Sequence, residues 1–207
     1  MRRVYARGGL HESDMADEPI RQFQRWFDDA VAAGLPEPNA MVVATSTRDG
    51  VPAARTVLLK SCDERGFGFY TNRGSAKARD LADNPRAALL FPWHELERQV
   101  RVTGDVRALD DDEVAGYFAS RPRDSQLGAW ASEQSSVIDG REVLEERFAA
   151  AAARWPDGTT VPMPPFWGGF LVVPAAVEFW QGRESRLHDR LRYRRNVDAW
   201  VLERLAP

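Results

Sequence analysis

Thirteen residues near the C-terminus, RESRLHDRLRYRR at 183–195, carry six arginines, one of the chain's three histidines and an acidic pair. So much positive charge suits a nucleic acid, a metal site, a solvated face or a pocket for a small anion. A formal net charge of −3 speaks against coating a polyanion, which draws on an excess of basic charge. The acidic stretches HESDMADE (11–18) and DDDE (110–113) show charge segregated along the chain. His11, His94 and His188 stand far apart, no HExxH occurs and Cys62 is the only cysteine, so a metal site has weak support. No GxSxG, Walker loop or GxGxxG is present.

Other pieces handle anions. TNRGSAK (71–77) puts glycine, serine and lysine where a strand gives way to a helix, whose free N–H groups suit a phosphate; Ser75 as a plain N-cap is the competing reading. SRPRDSQ (120–126) offers Arg121, Arg123 and Ser125 just after Tyr117, as a second phosphate grip or as a solvated face. In RTVLLK (55–60) Arg55 and Lys60 have opposite strand parity and would serve different partners. Tyr70, Gln99 and Trp180 suit a flat ring, or packing alone. Arg186, His188 and Arg190 alternate, so on a strand they share one face while Leu187, Asp189 and Leu191 take the other. Charge on one face fits a ligand pocket; Arg192, Arg194 and Arg195 read as solvated or interface residues.

These residues need a frame. Residues 19–34 show helical spacing of apolar side chains, stopped by Gly34. Strands follow at 40–46, 53–61 and 67–71, then a short helix ending before Pro85, then strands over RAALLFPW and ERQVRVTGDVRAL. The short connections make the sheet antiparallel. Asp110 with Glu113 resembles a capping box opening a helix at DDEVAGYFAS, and helices are expected beyond Pro122 and over 140–155. PDGTTVPMPP is a surface connection, after which FWGGFLVVP, AVEFWQG, RLRYRR and AWVLERL read as four strands. The class is mainly β with flanking helices (α+β), in one domain at 207 residues. With 43% hydrophobic residues, a lone cysteine, no leader and no membrane-length apolar run, a soluble cytoplasmic protein is expected.

Taken in order, RTVLLK, FYTNRGSAKA, LLFPWHELERQVRVTG, YFASRPRDSQLGAWASEQSS with Glu133 as its variable residue, PPFWGGF, VEFWQG, RLHDR and ERLAP closely resemble the pyridoxine/pyridoxamine 5′-phosphate oxidase family, over nearly the whole chain. The last pieces distinguish that family from other split-barrel flavoproteins. The resemblance implies an antiparallel FMN-binding split β-barrel over 1–207, with a mobile N-terminal segment (1–17) and a C-terminal substrate and dimerisation part (166–207). It implies a homodimer with FMN between subunits. The activity implied is oxidation of pyridoxamine 5′-phosphate and pyridoxine 5′-phosphate by dioxygen to pyridoxal 5′-phosphate, with hydrogen peroxide, and ammonia from the amine, in vitamin B6 biosynthesis and salvage.

By the same resemblance Arg55, Thr56, Val57, Leu58, Leu59, Lys60, Tyr70, Thr71, Lys77, Gln99, Gln134, Ser135, Trp180 and Arg190 would hold FMN. Lys60, Tyr117, Arg121 and Ser125 would take the substrate phosphate, with Arg186, Leu187 and His188 at the ring, and Arg2, Arg3, Val4 and Tyr5 folding over the site. Arg186 and His188 are the expected catalytic pair. One position departs: Ala76 stands where the family commonly has arginine, leaving Arg73 or Arg79 to substitute, or FMN to bind less tightly. Two other functions compete, a split-barrel reductase acting on another substrate and a non-catalytic carrier of pyridoxal phosphate. Neither a nucleic acid nor a membrane is expected as a partner.

Overall fold

The computed structural model describes residues 8–197 and 199–207. In chain order the elements are α1 (Pro19–Ala32), β1 (Ala40–Ser46), β2 (Pro52–Leu58), β3 (Ser61–Asp63), β4 (Gly66–Asn72), α2 (Ala76–Asp83), β5 (Arg86–Trp93) and β6 (Arg98–Ala108). Then come α3 (Asp111–Ser120), α4 (Arg123–Ala131), α5 (Arg141–Arg154), β7 (Trp167–Gln181), β8 (Asp189–Asn196) and β9 (Ala199–Arg204). The antiparallel sheet runs β2-β1-β5-β6-β7-β4-β3, and β8 and β9 continue from β7. Strand β7 is the hub. One edge lies along β6; its other edge pairs with β4 over Trp167–Val172 and with β8 over Ala176–Gln181, which splits the barrel there.

Helix α1 plugs the barrel. Its apolar face repeats at helical spacing, and Phe23, 1% exposed, meets Phe67 at 4.9 Å and Phe91 at 4.8 Å between ring centres, while Trp26 stands edge-on to Phe179 at 5.1 Å. Burying each such ring contributes on the order of 1.5–3 kcal/mol. Gly34, at φ +69°, ends the helix in the left-handed region that favours glycine. On β1 the inward positions Met41, Val43 and Thr45 are buried, as alternation requires.

Four expectations change. The strand expected over 53–61 breaks at Leu59–Lys60, because the Leu59 N–H donates to the Asn39 carbonyl and the Lys60 N–H then donates to Gly68, moving the chain from β1 to β4. Parity therefore does not relate Arg55 to Lys60. The two strands expected over FWGGFLVVP and AVEFWQG are one, β7, because its ladder with β6 continues past Pro174, which pairs with Gly104, by leaving Ala175 unpaired in a bulge opposite Thr103–Gly104. A Cβ on Gly104 would lie 1.9 Å from the Val173 carbonyl oxygen, so only glycine fits that crossing.

Asp110 occupies the N-cap of α3 without a side-chain cap bond, and Glu113 pairs with Arg65 at 2.9 Å, so the capping box does not form. Arg186 is not on a strand. Residues Glu184–Arg186 form a 3-10 turn with Ser185 at φ +57° and Arg186 at φ +63°, closed by the Leu187 N–H on the Glu184 carbonyl, and β8 begins only at Asp189. Period-two alternation thus does not carry Arg186 onto one face with Arg190.

Candidate functional site

The TNRGSAK stretch builds a nest of donors. Asn72 Oδ1 accepts the Gly74 N–H at 2.7 Å and tightens the turn out of β4, and Ser75 caps α2 by accepting the Ala78 N–H at 3.4 Å. Helical direction then sends Lys77 inward, where it is 7% exposed. Its ammonium donates to Gln134 Oε1 (2.7 Å), Thr71 Oγ1 (3.0 Å) and Ser75 Oγ (3.4 Å), and Thr71 also donates to Gln134 Oε1 (2.8 Å). Ser135, at φ +74°, accepts the Ala76 N–H at 3.2 Å. Burial, then the nearby Arg55 charge, brings the Lys77 amine down to about 8. Arg55 is itself held by the Val43 carbonyl (3.1 Å), Thr45 Oγ1 (2.7 Å) and Asp80 (3.7 Å).

Among the described residues no carboxylate pairs with Lys77. A cleft of about 300 Å³ is lined by Asn72, Gly74, Glu133, Gln134, Ser136 and Phe166, and its Gln134 accepts from the Lys77 ammonium. A buried cation at a helix N-terminus beside open space suits a phosphate-type anion. The preceding segment leads there: Thr56, Val57 and Leu58 pair with Val42, Met41 and Ala40, Leu59 is buried and Lys60 is exposed.

A second anion grip lies close by, since Tyr70, Thr71 and Asn72 of β4 pair with Gly169, Gly168 and Trp167. Tyr70 stacks on Tyr117 of α3 at 3.8 Å, and burial raises its phenol pKa. Arg121 lies with its guanidinium 4.2 Å from the Trp167 ring centre, where burial lowers its pKa. Its Nη1 is buried with no hydrogen-bond partner, and so is Trp167 Nε1. Buried donors are satisfied as a rule, so both atoms suit an acceptor brought by a ligand. Ser125 is in the first turn of α4, half-buried.

The remaining candidates gather elsewhere. Gln99 of β6 faces Trp180 of β7, which in turn faces Arg190 of β8. The Trp180 and His188 rings are 4.6 Å apart. Arg190 donates to Glu178 Oε1 (2.8 Å) and to the Ala206 carbonyl (2.8 Å). His188 Nδ1 accepts the Arg183 N–H at 3.0 Å, so a neutral ring carries its proton on Nε2. Arg186 and Leu187 are exposed on the turn beside it, Leu187 at 70%. Arg192 and Arg194 are committed to Glu203, and Arg195 lies over Trp200. Arg2, Arg3, Val4 and Tyr5 lie outside the described residues.

The candidates therefore form two poles. Thr71 and Tyr70 sit opposite Gly168 and Gly169 at the start of β7, and Gln99 sits opposite Trp180 near its end, roughly eleven residues or about 36 Å of strand contour away.

Sequence reasoning missed Glu178. It is 4% exposed and takes Arg101 at 2.5 Å as well as Arg190, so it orients the second pole. The signal was an acid inside the apolar run VEFW.

A family described as "Pyridoxamine 5′-phosphate oxidase" matches residues 27–154, and one described as "Pyridoxine 5′-phosphate oxidase C-terminal dimerisation region" matches 167–207. The pyridoxine/pyridoxamine 5′-phosphate oxidase of Rubrobacter xylanophilus is 58% identical over 207 residues, covering 100% of this chain and 95% of its own. The chain belongs to the pyridoxine/pyridoxamine 5′-phosphate oxidase family. The oxidase of Cupriavidus pinatubonensis is also 58% identical, over 100% of this chain and 97% of its own. Members are oxidoreductases, and FMN is the cofactor that goes with the family.

Among solved structures, PhzG from Burkholderia lata in complex with tetrahydrophenazine-1-carboxylic acid superposes with a TM-score of 0.90 at 33% identity, covering 96% of this chain and 98% of its own. A pyridoxamine 5′-phosphate oxidase-related, FMN binding protein from Nostoc punctiforme gives 0.73 at 21% identity, over 93% and 100%. That likeness concerns the split-barrel fold. Within the oxidase family frame, the first pole falls in the region matched by the oxidase description, and Trp180, His188 and Arg190 fall in the region matched as dimerising. Among the described residues no helix is long and apolar enough to cross a membrane.

Proposed function

We propose that the chain works as a homodimer that oxidises pyridoxamine 5′-phosphate and pyridoxine 5′-phosphate with dioxygen, using FMN held between the first pole of one copy and the second pole of the other. The observation that carries this reading is the buried Lys77 with Thr71, Gln134 and Ser135 at the α2 N-terminus, a nest that fits the FMN phosphate. Arg55 to Lys60, Tyr70 and Thr71 line the approach to it, and Gln99, Trp180 and Arg190 come from the second copy. Arg121, with Tyr117, Ser125 and Lys60, binds the substrate phosphate, and the unsatisfied Nη1 of Arg121 supports that role.

When bound, FMN supplies the redox chemistry, accepting a hydride equivalent from the substrate's C4′ carbon and passing two electrons to dioxygen, which yields hydrogen peroxide. The protein positions. Arg186 lies over the pyridine ring, where its flat guanidinium favours the charge that develops as hydride leaves. His188, with Nδ1 occupied by the Arg183 N–H, offers its Nε2 side to the ring. Leu187 closes the edge of the pocket. With the amine substrate the oxidised product takes up water and loses ammonia to give the aldehyde.

The test is an absorbance spectrum of the purified protein before and after anaerobic addition of pyridoxamine 5′-phosphate. A yellow protein whose flavin bleaches on addition and recovers in air is the expected result. A colourless protein that takes up no FMN, or flavin indifferent to the substrate, contradicts the proposal.

A further inference from the structure

We propose that Arg79 is a cofactor-phosphate ligand, the guanidinium that completes the anion site at the N-terminus of α2; this rests on the FMN reading above. The one cation buried in that site shares its donors with protein oxygens. An ammonium has three N–H groups, and Lys77 points its own at Thr71, Gln134 and Ser75. The Ala76 N–H goes to Ser135, and the Ala76 side chain offers nothing. A phosphate monoester carries up to two negative charges, so one buried amine leaves it under-compensated.

Three arginines lie within reach, and two are committed. Arg55 is held by the Val43 carbonyl, Thr45 and Asp80. Arg73 pairs with Asp111 at 2.5 Å and its stem fills the space over Gly168. Arg79 is exposed, and among the described residues it pairs with no carboxylate. Its Nη1 donates to the Gly74 carbonyl. Side chains on a helix lean towards its N-terminus, so Arg79, one turn past Ala76, reaches back along α2 to the residue before the cap. Gly74 lines the cleft together with Gln134, the partner of Lys77, and with Glu133, and the Arg79 guanidinium is tied to Gly74 through its carbonyl. A backbone carbonyl is a weak partner for a cation, and exchanging it for a phosphate oxygen strengthens the contact.

The experiment is a fluorescence titration of flavin-free protein with FMN and, separately, with riboflavin, for the wild type, Arg79→Gln and Arg73→Gln. Glutamine keeps helix propensity and a donor for the Gly74 carbonyl while removing the charge. Arg79→Gln is expected to weaken FMN binding by about 10-fold or more, the scale of a hydrogen bond to a charged group, and to leave riboflavin binding unchanged. Equal FMN affinity in wild type and Arg79→Gln, or loss confined to Arg73→Gln, overturns the assignment. Equal loss for FMN and riboflavin does so too, because the effect would then not involve phosphate. If the wild type itself binds neither flavin, it is the cofactor reading that fails. Thermal unfolding of each flavin-free variant, expected to match the wild type, confirms that the helix is intact.

Discussion

Glu178→Ala is expected to cost roughly 2–3 kcal/mol of stability and most of the bound FMN. Removing one member of a buried ion pair costs on the order of 3–5 kcal/mol, because the other charge is left without compensation. The lower figure applies here because Arg101 and Arg190 retain side-chain exposures of 47% and 26%, and water screens them. The functional loss has a separate origin. Arg190 is aimed by Glu178 from one side and by the Ala206 carbonyl from the other, and without the carboxylate its guanidinium swings away from the second pole. Urea unfolding and flavin quantitation of the purified variant check both parts. A variant with an unchanged midpoint and full FMN content would show that Glu178 neither supports the sheet nor orients Arg190.

Arg121→Leu should separate stability from function. Burial opposes the charge of Arg121 in the free protein, and its Nη1 has no partner. Leucine keeps an apolar stem against Trp167 and Phe118 and removes the unsatisfied donor, so the variant should be as stable as the wild type, or more so. Substrate binding should nevertheless weaken by about 10- to 100-fold, since a charged hydrogen bond contributes roughly 1.5–3 kcal/mol. The loss should appear in KM for pyridoxamine 5′-phosphate and be absent for unphosphorylated pyridoxamine. Equal losses for both substrates would remove Arg121 from the phosphate site.

Much of this was legible locally. The buried alternation of Met41, Val43 and Thr45, the helical spacing of Phe23, Trp26 and Ala30, and the Ser75 cap are encoded within a few residues of each other. What was not legible depends on distant partners. The break at Leu59–Lys60 is set by Asn39 and Gly68, and the continuity of β7 through Pro174 by Gly104 on another strand. The left-handed pair Ser185–Arg186 carries no glycine to announce it. The division into two poles is a property of β7 length and pairing, which local patterns do not contain. Glu178 sits in the strand pattern like its neighbours, and its role is set by Arg101 of β6 and Arg190 of β8 converging on it.

The most direct test of the two-copy site is subunit complementation. Lys77→Ala disables the first pole and Trp180→Ala the second, so each homodimer alone should lack bound FMN and turnover. Unfolding and refolding the two together lets chains pair at random, and a symmetric dimer then carries one intact site in each mixed pair. Flavin content and peroxide production from pyridoxamine 5′-phosphate should recover to roughly a quarter of the wild-type value, as random pairing in a two-fold dimer dictates. If the mixture stays at the level of the separate variants while wild type treated the same way recovers, each site is built within one chain and the account is wrong.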